Sequence, residues 1–128
     1  MNPIICDTNI FIHAFNGNQR TIAELAEIGA GNTMMLSITA MELLRGMRNK
    51  EELDRMAKRI KMFNILHFNE NVSRRSVELI KLFKLSHDQK IPDGIIAALA
   101  IEYDLPIFTY NLKDFKFIPG LKLYKNLV

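Results

Sequence analysis

Short apolar runs alternate with helical periodicity along almost the whole chain, and this alternation restricts the fold more than any other feature. Ile4, Ile5 and Cys6 form the first run, and Ile10, Phe11, Ala14 and Phe15 follow at helical spacing from Thr8. A second helix is predicted over 20–28, stopped by Gly29 and Gly31, and TMMLS at 33–37 reads as a second strand. Helices are predicted over 39–47 and 50–62, the second with Leu53, Met56, Ala57, Ile60 and Phe63 on one face. A third strand over 65–68 and a helix over 71–84 come next. The helix predicted over 92–102 is apolar almost all round (GIIAALAI), so it must be buried. Residues 106–109 read as a fourth strand and 121–124 as a fifth. Strands separated by helices are joined by crossovers and pair in parallel. The expectation is therefore a single α/β domain over 1–128, with a mainly parallel sheet of about five strands and helices on both faces.

Composition narrows the class. With 48% hydrophobic and 24% charged residues the chain is too apolar for a disordered segment. A single cysteine excludes an internal disulfide framework and suits a reducing cytoplasm. No apolar run is long enough to span a membrane, and MNPIICDTN lacks the basic start of a signal peptide. The net charge of +3 is compatible with a nucleic-acid partner without requiring one. Basic residues gather at Lys58, Arg59 and Lys61, at Arg74 and Arg75, and at Lys113, Lys116, Lys122 and Lys125, where solvated helix faces also account for them.

Ligands of open α/β sheets bind outside the carboxyl ends of the strands. Asp7 ends the first strand, Glu42 lies in the first turn of the helix after the second, Asp93 opens the buried helix, and Asn111 and Asp114 follow the fourth strand. Each also suits a local role. Asp7 or Thr8 can cap a helix, Thr39 and Glu42 have capping-box spacing, Asp93 sits at the positive end of a helix dipole, and Asn111 and Asp114 suit a turn. Met41, Leu43 and Leu44 give Glu42 apolar sequence neighbours. Together, acids delivered to one sheet edge repel and raise one another's pKa. A hard divalent cation relieves that repulsion and suits phosphodiester hydrolysis.

Other chemistries lack their residues. There is no phosphate-binding G-x-x-x-x-G-K-[ST] loop and no G-x-S-x-G elbow. Cys6 belongs to an apolar strand and reads as core. His13, His67 and His87 have no metal-ligand spacing, and His87 is expected in a surface loop. Phe68, Tyr110 and Phe115 can stack on bases, although core packing is the commoner role for such residues.

The segments IICDTNIFI, SITAMELLRG and IPDGIIAALAIEYDLPIFTYNLKDF, in this order and with a trailing FIPGLKLY, resemble the PIN-domain family, in particular its VapC-type toxins. The resemblance implies a Mg²⁺- or Mn²⁺-dependent ribonuclease acting on RNA, with Asp7, Glu42 and Asp93 as metal-binding and catalytic acids. The family's fourth position, often Asp, is Asn111 here, and Asp114 can supply the missing charge. Asn9 and Thr109 match positions that hold the acids by hydrogen bonds, and Ser37 is a further candidate for that role. The resemblance also implies an antitoxin partner that blocks the groove, and a homodimer. The exposed faces of the helices over 20–28 and 50–62 are candidate contact surfaces. Asn111 leaves open a PIN-like module that binds RNA or a protein without cutting. A signalling receiver domain fits poorly, because Cys6 replaces the first of its paired acids and only Glu70 follows the third strand.

Overall fold

The computed structural model describes residues 3–125. Its order of elements is β1 (Ile4–Cys6), α1 (Thr8–Phe15), α2 (Gln19–Ile28), β2 (Thr33–Leu36), α3 (Ser37–Arg45), α4 (Lys50–Ile60), β3 (Asn64–Leu66), α5 (Glu70–His87), α6 (Ile91–Tyr103) and β4 (Ile107–Phe108). Short 3₁₀ turns occupy Ala30–Asn32 and Leu112–Asp114. The sheet has four strands in the order β3-β2-β1-β4, every pairing parallel.

The period of two along each strand divides the core into two layers. Ile5, Leu36 and Ile107 point to the side covered by α5 and α6, where they meet Val72, Leu79, Ile96 and Leu99. Their neighbours Ile4, Cys6, Met35 and Phe108 point to the opposite side, against Ile10, Phe11, Leu43 and Met56 from α1, α3 and α4. Phe11 is fully buried and packs edge-on against Phe63, with ring centroids 5.1 Å apart. The apolar helix α6 is buried from Ile96 to Ala100, as its all-round hydrophobicity requires. At its start Gly94 allows α5 to approach closely, since a Cβ there would lie 2.7 Å from Cδ1 of Ile80. Gly94→Ala gains helix propensity but must displace Ile80. A net loss of about 1 kcal/mol is expected, read as a lower urea midpoint with unchanged slope.

Several expectations are corrected. The fifth strand shrinks to one parallel bridge between Ile107 and Leu123, because β4 offers only two residues and Lys125 at once turns the chain with φ of 47°. Helix α3 begins at Ser37 rather than Thr39, so Glu42 falls in its second turn and no side chain caps its start. The expected capping box is therefore absent. Helix α5 continues to His87, which lies on the helix rather than in a loop and stacks on Phe117 at 3.8 Å with planes 9° apart. Among the described residues no helix is long and apolar enough to cross a membrane.

Candidate active site

The chain leaves β1, adds β2 and β3 outward on one side, then returns to place β4 on the other. Such a reversal of direction opens a crevice beyond the carboxyl ends of the two strands that flank it. Here those strands are β1 and β4, which are followed directly by Asp7 and Thr109.

Asp7 caps α1 and is buried. Its Oδ1 accepts the Thr8 N–H at 2.8 Å, and its Oδ2 accepts the Thr109 hydroxyl at 2.9 Å. Thr109 in turn accepts the Asn111 N–H at 3.0 Å, which ties the start of the loop after β4 to the same carboxylate. Asn111 itself is exposed, and Asp114 closes the 3₁₀ turn behind it. Asp93 lies in the first turn of α6, partly buried. Glu42 is exposed on α3, and its Oε1 accepts the Thr8 hydroxyl at 2.9 Å. The apolar surroundings expected for Glu42 are not found. Successive helix residues project about 100° apart, so Leu43 is buried while Met41 is 55% exposed.

The acids act on one another electrostatically. Burial, then the like charges of Asp7, Asp114 and Glu42, push the Asp93 carboxyl up to about 7, with Lys90 opposing weakly. Burial also raises Asp7, against the hydrogen bonds from Thr109 and Thr8, and Glu42 and Asp114 add to the rise. Among the described residues, the acids without an ion pair are these four and Glu78 on α5. The fold thus concentrates negative charge in the crevice and supplies no cationic partner within contact.

Among the described residues no three Asp, Glu, His or Cys side chains stand close enough together to hold a metal ion. The donor set nevertheless fits a hard divalent cation. All donors are oxygen, they carry unrelieved charge, and Mg²⁺ requires only one or two protein carboxylates because it retains several waters.

The supporting residues differ from expectation. Thr109 makes its bond to Asp7. Asn9 makes no hydrogen bond to an acid among the described residues, and its Oδ1 is buried without a partner. Ser37 is buried at the start of α3 and likewise makes none. The hydroxyl that does reach Glu42 is that of Thr8, and the Thr39 hydroxyl lies 3.0 Å behind it, against Thr8. Their signal was present in the sequence, since Thr39 and Glu42 are three apart on one helix and share a face.

Cys6 is a buried core residue of β1, and burial and then Asp7 push its thiol up to about 12, away from the reactive thiolate form. Phe115 is fully buried. Tyr110 and Phe68 keep 39% and 41% of their surface exposed. Tyr110 is held by a 2.6 Å hydrogen bond between its hydroxyl and Thr21 and by an edge-on contact with His13. Beside Glu42, a groove of about 510 Å³ runs between α1, α3 and α4. Its floor is Phe15, Leu43 and Met56, and Arg48, Arg55 and Arg59 stand along it.

Comparison with known proteins agrees with this architecture. No curated protein matches the chain. Its fold is similar to a toxin–antitoxin complex from Klebsiella pneumoniae, at 32% identity and TM-score 0.76, covering 92% of this chain and 94% of the other. It is similar to VapBC2 from Rickettsia felis bound to a promoter DNA fragment, at 25% identity and TM-score 0.81, covering 94% and 96%. VapBC-1 from nontypeable Haemophilus influenzae matches at 25% identity and TM-score 0.78, with the same coverage. The family model of the PIN domain matches residues 4–120. A match of that extent, on a parallel sheet with acids at its carboxyl edge, establishes that the chain belongs to the PIN-domain family.

Proposed function

We propose that this chain is a divalent-metal-dependent endoribonuclease and the toxin of a toxin–antitoxin pair. What supports this reading is the charge repulsion that Asp7, Glu42 and Asp114 exert on Asp93 beyond the strand ends, with none of the four in an ion pair among the described residues. Asp7 and Asp93 would hold Mg²⁺ or Mn²⁺, with Glu42 beside them and Asp114 contributing charge from the 3₁₀ turn. A divalent cation bound there supplies Lewis acidity toward a phosphodiester and neutralises charge that develops on its oxygens.

The remaining work falls to the chain's own groups. Glu42, exposed beside Asp7 and Asp93, accepts the proton of the attacking water. Asn111 orients a water or a phosphate oxygen through its uncharged amide. Thr109 holds Asp7 in the orientation that its buried position alone would not fix. Arginines along the groove attract the RNA backbone, a term that weakens as salt rises.

The likeness to a toxin–antitoxin complex supports an antitoxin partner, and the acidic crevice is the surface such a partner would block. Homodimer formation follows from the same family resemblance, and a cytoplasmic setting suits the single buried thiol.

The test is cleavage of total cellular RNA by the purified chain with Mg²⁺, with Mn²⁺ and with chelator. Discrete fragments are expected with either metal and none with chelator. Asp7→Asn, run alongside, should yield none. A chain that binds Mn²⁺ yet cuts no RNA would instead be a PIN module that binds without cleaving, a reading that the uncharged Asn111 favours.

A further inference from the structure

Thr8 stands between two of the acids. Its backbone N–H donates to Asp7 at 2.8 Å, and its hydroxyl donates to Glu42 at 2.9 Å. The same hydroxyl lies 3.0 Å from the hydroxyl of Thr39, which is fully buried. A hydroxyl carries one proton, and Thr8 donates its own to Glu42 Oε1. The Thr8 proton is therefore committed to Glu42, and Thr39 must be the donor between the two threonines. The result is a directed chain that starts in the core at Thr39, passes through Thr8 and ends on Glu42.

Glu42 has no other anchor. It is exposed on α3, and among the described residues it takes part in no ion pair and accepts no other side-chain hydrogen bond. A flexible side chain in that position samples several rotamers unless something holds it. Resting on the nuclease reading above, we infer that Thr8 is a positioning residue that ties Asp7 and Glu42 to one point of the fold and, with Thr39 behind it, holds Glu42 ready for a divalent cation. The Asp7 end of this clamp is backbone and the Glu42 end is hydroxyl, so the two can be separated by mutation.

Thr8→Val keeps the branched shape and the N–H to Asp7 and removes only the hydroxyl. The full chain is compared with Thr8→Val, Thr8→Ser and Glu42→Ala, and with Thr8→Val combined with Glu42→Ala. Mn²⁺ affinity is read by electron paramagnetic resonance of the free ion, and RNA cleavage is followed in parallel. Thr8→Val is expected to weaken Mn²⁺ binding and slow cleavage, each by about 10- to 100-fold, and Thr8→Ser is expected to recover most of the loss. In the Glu42→Ala background Thr8→Val should change either quantity by no more than about twofold, because the partner it acts through is gone.

An equal loss in both backgrounds would make Thr8 merely structural and overturn the inference. So would wild-type Mn²⁺ affinity in a folded Thr8→Val chain. If the wild type binds Mn²⁺ but cuts no RNA, the ribonuclease reading falls while the binding cycle decides the role of Thr8. If it binds no Mn²⁺, both fall.

Discussion

Asp93→Asn is expected to abolish metal-dependent RNA cleavage and, without metal, to make the protein more stable above neutral pH. The loss should exceed the roughly 10- to 100-fold typical of residues that only support a ligand. Its opposite effect on stability follows from the same charge. Burial and the acids Asp7, Asp114 and Glu42 raise the Asp93 carboxyl to about 7, well above its ordinary value near 4. The folded state therefore holds a proton that the unfolded chain releases. The stability this group contributes is complete below about pH 4 and is lost as pH rises through about 7. Asn carries no charge at any pH and escapes that loss.

Asp93 is only partly buried, so screening reduces the gain to about 1–2 kcal/mol at pH 8. That is about 4–8 °C in Tm for a chain of this length. Near pH 4 the two proteins should melt together. Divalent cation should reverse the order at pH 8, stabilising the wild type through binding and leaving Asp93→Asn little changed. Thermal melts at the two pH values, with and without Mg²⁺, read all of this. A folded Asp93→Asn that cleaves RNA like the wild type would remove Asp93 from the site.

Phe115→Ala is expected to cost about 3–5 kcal/mol, a large part of the stability of a typical domain. Phe115 is fully buried in the layer beneath α5 and α6, and it follows directly on the 3₁₀ turn that carries Asp114. Its ring is the anchor that draws the loop after β4 back onto the core. Removing it leaves a cavity and loosens Asn111 and Asp114 together. Urea unfolding should show a much lower midpoint with a similar slope, and Mg²⁺ affinity should fall in the protein that remains folded. A change below about 1 kcal/mol would contradict the packing described here. Tyr110 offers the contrast, since it keeps 39% of its surface exposed. Truncating it should cost far less stability.

Much of the fold was legible because two local periods govern it. Ile4, Ile5 and Cys6 alternate between two buried faces, and the all-apolar α6 has nowhere to go but the interior. The acids were legible by type and by their places after strands. What misled was sequence adjacency. Met41, Glu42 and Leu43 are neighbours in the chain yet project to different surroundings, so an apolar stretch did not make an apolar site. The fifth strand failed for a related reason. Leu121–Tyr124 has a strand's composition, but a strand exists only to the length of its partner, and β4 offers two residues.

The amino-acid sequence by itself determined four strands and the helices between them, their parallel pairing and the set of acidic side chains available at the strand ends, because these depend on periodicity and on residue type within a few positions. Only the tertiary structure decided how those acids are held. Asp7 is gripped by Thr109 from the far end of the chain, and Glu42 by Thr8 from another helix. A hydrogen bond needs its donor within about 3 Å, and for residues so distant in sequence that proximity is created by the packing of the sheet and its helices.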